Sequence, residues 1–182
     1  DYKINKKNLQ TGLLWKPIQS VGLYVPSGKA AYPSSLIMNV VPAKVAGVKR
    51  IVVTTPSIKN YINPYILALL DILEIQEVYQ IGGAQAIAAL AYGTKIIRPV
   101  NKIFGPGNAY VASAKKQVFG KVGIDLIAGP SEIVVVADSS NNPEWVASDL
   151  IAQAEHDERA QSILITDSQI FSSKVLLCID KL

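Results

Sequence analysis

The chain has 182 residues, 49% of them apolar and 18% charged, with a formal net charge of +4, a balance that supports a sizeable core and excludes a disordered polyelectrolyte. Its lysines are scattered apart from short pairs such as Lys6-Lys7 and Lys115-Lys116, so no basic block interleaved with aromatics points to nucleic acid. The single cysteine, Cys178, cannot close an internal disulfide and reads as a small apolar helix residue in a reducing compartment; with no signal peptide visible and no apolar run of the roughly 20 residues a membrane helix needs, the expected location is the cytoplasm.

In chain order, SVGLYVP (20–26) reads as a short strand followed by a Pro-Ser-Gly turn. PSSLIMNVVPAKVAG (33–47) reads as a helix with Pro33 in its first turn, Ser34 or Ser35 as cap, Gly47 as its end and a kink or break at Pro42. KRIVVTTP (49–56) is an apolar, β-branched strand, and NPYILALLDILEI (63–75) is a helix capped by Asn63 with Pro64 at its first position. EVYQIGG (77–83) is a strand, AQAIAALAYG (84–93) an alanine-rich helix closed by Gly93, NKIFGPG (101–107) a strand with a tight turn, and NAYVASAKKQVFG (108–120) the helix after it. IDLIAGPSEIVVVAD (124–138) reads as two short strands broken at Gly129-Pro130. NPEWVASDLIAQAEH (142–156), QSILIT (161–166) and SQIFSSKVLLCI (168–179) follow as helix, strand and helix.

Continuous apolar strands alternating with helices indicate parallel sheets with helices on both faces, joined by right-handed crossovers. The expected fold class is α/β, doubly wound and Rossmann-like. No turn carries the G-x-G-x-x-G fingerprint with its acidic partner, and none carries the G-x-x-x-x-G-K-[ST] phosphate loop.

In such sheets ligands sit at the carboxyl ends of the strands. Here those ends carry PSGKAAYPSS, IGGAQA, FGPGNAY and AGPSEI, which together predict a crevice lined with backbone donors plus Tyr24, Gln85, Asn108 and Ser131. Any one of these turns reads equally well as simple punctuation of the chain, so the residues alone leave a nucleotide as one reading beside the other. Gln153 and His156, three apart, share a helix face. His156 is the only histidine. It reads either as a metal ligand or as a helix-end cap or surface group, and with no cluster of ligands around it the residues alone favour the second.

Taken in order, GLYVPSGKAAYPSSLIMNVVPAKVAGV, NPYILA, EVYQIGGAQAIAALAYGT, IFGPGNAYVASAKKQV, IDLIAGPSEIVVVAD and NPEWVASDLIAQAEHDERAQSILIT resemble the histidinol dehydrogenase family, from about residue 15 to residue 170. The resemblance implies a zinc-dependent, NAD-linked enzyme of histidine biosynthesis that oxidises L-histidinol through histidinal to L-histidine. It also implies a homodimer built from Rossmann-like domains that lack the dinucleotide fingerprint. Residue by residue, it implies NAD contacts at Tyr24, Gln85 and Asn108, substrate contacts at Ser131, Gln153 and His156, and zinc ligation by Gln153 and His156, which reverses the reading of His156. It further implies that residues 1–23 are a segment of one α/β domain, that 24–130 form a complete NAD-contacting domain, and that 131–182 return to the first domain on its substrate and zinc side.

The sequence departs from the family pattern in two places. Pro26-Ser27-Gly28 stands where the family has VPGG. The family's catalytic Glu-His pair, and its further aspartate and histidine zinc ligands, match nothing in these residues, so no catalytic residue is assigned and the 182 residues alone are expected to show almost no histidinol oxidation. Two other readings stay open. One is a truncated, non-catalytic nucleotide-binding homologue; the other is a related zinc and NAD dehydrogenase for another small alcohol such as sulfopropanediol. The expected partners are a small-molecule substrate and a second copy of the chain, with no nucleic acid and no membrane.

Overall fold

A hairpin that no sequence pattern announced opens the chain: β1 (Tyr2–Lys6) pairs antiparallel with β2 (Leu9–Leu13). Asn8 in its turn has φ 62°, a left-handed conformation that asparagine tolerates better than most residues. Every residue of β2 is exposed, so the hairpin lacks the alternation of buried and solvated positions by which a strand is read. The computed structural model describes residues 2–26, 32–57, 61–127, 129, 131–155 and 160–182. The chain divides into two units, Asp1–Ile127 and Ala128–Leu182.

After the hairpin come β3 (Ser20–Tyr24), α1 (Pro33–Val45), β4 (Arg50–Thr54), α2 (Pro64–Ile72), β5 (Glu77–Tyr79), α3 (Gly83–Tyr92), β6 (Lys102–Phe104), α4 (Ala109–Val118) and β7 (Gly123–Ile124). The five strands from β3 to β7 form one parallel sheet in the order β5-β4-β3-β6-β7. The chain therefore steps outward from β3 through β4 to β5, then returns to lay β6 against the other side of β3.

That return puts helices on both faces. Leu23 and Val53 pack with Leu36 and Val40 of α1 and with Ile66 and Leu70 of α2. Val52 and Ile103 pack on the opposite face with Ile87 and Leu90 of α3 and Val111 and Val118 of α4. Adjacent Val52 and Val53 point to opposite faces, as successive strand residues must. Because both faces are covered, β3 and β4 show no polar alternation, which is why they read as apolar runs. Gly22 lies under α3, and a β-carbon there would stand 2.8 Å from Leu90 Cδ1.

The expected cap at Asn63 is present, its side chain accepting from the Tyr65 N–H. The expected cap at Ser34 or Ser35 is not: α1 starts at Pro33, which puts Tyr32, two residues before Ser34, at the cap position with no side-chain cap bond. Pro42 does not divide α1, which runs through it to Val45. The ring removes only the bond to the Met38 carbonyl, and Met38 lies on the solvent side at 73% exposure, where water can take that carbonyl. The two strands expected within 124–138 belong to different sheets, since β7 closes the five-stranded sheet and the next strand opens another.

The second unit contains β8 (Glu132–Val136), α5 (Pro143–Ala154), β9 (Gln161–Ile165) and α6 (Gln169–Ile179). β8 and β9 pair in parallel. One face of the pair is covered by Ala147 and Leu150 of α5 and by Phe171 and Val175 of α6. The other face carries Val134, Val136, Ile163 and Ile165, all exposed. Among the described residues no helix is long and apolar enough to cross a membrane.

Candidate functional site

The strand order reverses between β3 and β6, and a parallel sheet opens a crevice at such a point, outside the carboxyl ends of its strands. β3 ends there at Tyr24 and β6 at Phe104, followed by the Gly105-Pro106-Gly107-Asn108 turn into α4. Gly105 has φ 115° and presses so closely on Tyr24 that an added β-carbon would fall on the Tyr24 carbonyl oxygen. Only glycine can occupy that position, on grounds of both conformation and space.

Tyr24 reaches across to a second strand end. Its side chain is 4% exposed and packs on the α3 and α4 face. Its phenol oxygen accepts from the Gly83 N–H at 3.1 Å, at the first residue of α3. α3 has no side-chain cap, so the Tyr24 hydroxyl meets one of the amides that a helix start leaves without an intrahelical partner. Gln85 sits exposed in the same first turn. Asn108 caps α4, its Oδ1 accepting from the N–H groups of Tyr110 and Val111 at 3.1 Å each. This leaves the Asn108 amide nitrogen as a donor at the crevice.

The structure thus brings Tyr24, Gln85 and Asn108 to one edge of one sheet, around one switch point. The turn residues 27–31, Ser27 among them, lie outside the described residues. Lys115 is a residue that sequence reading missed. Read as half of a scattered lysine pair, it is in fact buried at 4% exposure beside Asp125. A signal for it existed: Val111, Ala114, Lys115 and Val118 fall on one helical stripe, and a lysine on an apolar stripe needs a buried partner.

In the second unit, Ser131 precedes β8, is exposed, and its carbonyl accepts from the Gln161 N–H at 3.1 Å. Gln153 lies in the last turn of α5. The Ser162 hydroxyl donates to the Leu150 carbonyl at 2.7 Å and ties that end of α5 to the start of β9. Ser131 and Gln153 therefore share the amino end of the two-stranded sheet. The Gln153 Nε2 is buried with no hydrogen-bond partner among the described residues. His156 lies outside the described residues. No three His, Cys, Asp or Glu side chains gather as a metal site among the described residues. One amide oxygen does not make a zinc site, which takes about four donors, so the described residues do not by themselves fit the ion.

A hollow of about 450 Å³ opens at the other, amino edge of the five-stranded sheet, lined by Lys44, Arg50, Glu74, Glu77 and Arg98 among others. Its lining is tied together by structural hydrogen bonds. Arg50 makes a bidentate pair with Glu77, with Nε to Oε1 at 2.7 Å and Nη2 to Oε2 at 2.8 Å, and donates to the carbonyls of Arg98 and Pro99. The Arg50 hydrogen bond, aided by the charges of Arg50 and Arg98, holds the Glu77 carboxyl below its ordinary range against the opposing effect of burial. With its guanidinium so occupied, this edge is a tie between strands, and the crevice at the switch point is the better candidate for a ligand.

Comparison with known proteins gives one answer. The family model described as histidinol dehydrogenase matches residues 2–182. The chain is 60% identical over 174 residues to histidinol dehydrogenase 1 of Nostoc sp., covering 96% of this chain and 40% of that protein. It is 62% identical over 167 residues to the histidinol dehydrogenase of Rhodopseudomonas palustris, covering 92% and 39%. The crystal structure of histidinol dehydrogenase from Elizabethkingia anophelis superposes with a TM-score of 0.88 at 42% identity, over 91% of this chain and 39% of that one. The chain spans about 40% of the length of the curated relatives it matches.

Proposed function

The chain belongs to the histidinol dehydrogenase family, and from that premise we propose that it supplies the dinucleotide-binding part of an NAD-dependent oxidation of L-histidinol to L-histidine. The observation that carries this reading is the convergence of Tyr24, Gln85 and Asn108 on the crevice between β3 and β6.

The residues divide the work. Tyr24 holds the start of α3 through the Gly83 amide and keeps its own hydroxyl proton to donate. Asn108 spends its oxygen on the helix cap and offers its amide protons to the ligand. The glycine turn lets a pyrophosphate approach backbone, and the start of α3, which has no side-chain cap from Gly82, favours negative charge. NAD, when bound, takes the hydride from the substrate carbon. In this reading residues 24–130 form the NAD-contacting domain, and 131–182 carry Ser131, Gln153 and His156 toward substrate and zinc. Gln153 and His156 then stand as part of a zinc coordination sphere that these residues do not complete. No candidate general base is among the residues read here, and losing one costs about 10²–10⁴-fold in rate.

The test is calorimetric titration of NAD into the chain, with Y24F and Q85A beside it. Saturable binding that weakens in both variants supports the reading; no saturable heat at millimolar NAD overturns it. NADH formation from histidinol by the 182 residues alone, at an ordinary enzymatic rate, would show that these residues already include a general base.

A further inference from the structure

Beneath the switch-point turn lies an ion pair between buried Lys115 and partly buried Asp125, with no role in the proposed function. Lys115 Nζ donates to Asp125 Oδ1 at 2.7 Å and to the Gly105 carbonyl. Asp125 Oδ2 accepts from the Gly105 N–H at 2.8 Å, and its Oδ1 also accepts from the Leu126 N–H at 2.7 Å. The Asp125 N–H in turn donates to the Ile103 carbonyl, two residues before Gly105. Both polar groups of the Gly105 backbone are therefore gripped by one charged pair. That grip sits on a residue already in the left-handed region and already against Tyr24.

Burying two charges is a poor way to gain stability, because their desolvation offsets most of their attraction and apolar residues of equal volume often do better. What a charged pair provides is direction. It selects the one turn conformation that satisfies its donors and acceptors, and Gly105 sits at the head of the turn that ends in Asn108. Gly107 fits against Val111, where an added β-carbon would crowd that side chain, so the turn is seated on α4 from both ends.

We propose that Lys115 and Asp125 are positioning residues for the dinucleotide: by clamping both backbone groups of Gly105, they set the turn whose amides and Asn108 side chain meet NAD. This rests on the crevice being the dinucleotide site. Neither residue touches the ligand. They act through Gly105, and their contribution appears in affinity for NAD beyond any change in fold stability.

The experiment titrates NAD into the 182-residue chain as wild type, K115M and D125N, with circular dichroism and thermal unfolding for each. The amide resonances of Gly105 and Asn108 are followed by NMR. K115M keeps the apolar stem without the charge; D125N keeps one acceptor for Lys115 but cannot accept the Gly105 N–H at its second atom. The expected result is a folded variant with a displaced Gly105 resonance and NAD affinity reduced about tenfold or more, the scale of a charge-assisted hydrogen bond. A folded variant with that resonance displaced and affinity within about twofold of wild type overturns the proposal, since a purely structural pair moves only the melting temperature. If neither variant folds, the wild type decides: NAD must shift the Gly105 and Asn108 resonances, and saturation without those shifts overturns the proposal. A wild type that binds no NAD is a different failure, because it removes the dinucleotide reading itself and this proposal with it.

Discussion

Gly105 and Tyr24 stand so close that the structure has no room for a β-carbon between them, and the φ of 115° at Gly105 is one that L side chains rarely adopt. The contact joins the ends of β3 and β6, the two strands on either side of the switch point. G105A is expected to cost about 2–4 kcal/mol, combining left-handed strain with overpacking against a backbone atom that cannot rotate away. Urea unfolding measures it; a loss below about 0.5 kcal/mol, the scale of an ordinary surface substitution, contradicts the contact.

Gly22 and Leu90 should be energetically coupled. A β-carbon on Gly22 meets Leu90 Cδ1 at 2.8 Å and Cδ2 at 3.0 Å, so G22A alone is expected to cost about 1–3 kcal/mol by overpacking. L90A removes a fully buried side chain and is expected to cost about 2–5 kcal/mol. The new methyl fits the space that L90A opens, so the double variant should lose less than the sum by about 0.5 kcal/mol or more. Strict additivity in the double-mutant cycle would show that the two do not share the space.

Asn108 carries two separable duties. N108A removes the cap of α4 and is expected to cost about 1 kcal/mol, which N108S should largely restore because serine also caps. Serine lacks the amide donors, so N108S should be stable yet weak in NAD binding. Full affinity in N108S would mean that the side chain serves only the helix.

Glu77 makes stability depend on pH in one direction. Its carboxyl is held below its ordinary value of 4.5, first by the hydrogen bond from Arg50. A depressed carboxylate contributes stability that is complete above the unfolded-state value and is lost as pH falls through the lower folded-state value. E77Q is therefore expected to cost about 1–2 kcal/mol at neutral pH, discounted for the partial exposure of the pair. The gap between wild type and E77Q should shrink as pH drops below about 4.5. A gap that persists unchanged in acid would assign the effect to packing.

Much of this protein is legible in its amino acids because the relevant forces are local. The cap expected at Asn63 follows from a side-chain oxygen meeting an amide two residues on, and Asn108 and Asn142 prove to cap their helices by the same local geometry. The apolar runs of β3 and β4 reveal a sheet covered on both faces, and the glycine turns mark the strand ends where a ligand is expected. The hairpin at the start escaped notice because its second strand is solvated on both sides and carries no period. Only the tertiary structure decided that β6 returns to the far side of β3, since strand order depends on which non-local pairings bury the most surface, and no short window encodes that choice. The same holds for Lys115. Ten residues separate it from Gly105 and from Asp125, and only when α4 folds back along β6 and β7 do a helix lysine and a strand-end aspartate close on one glycine, because the cost of burying their charges can be met only where each finds the other.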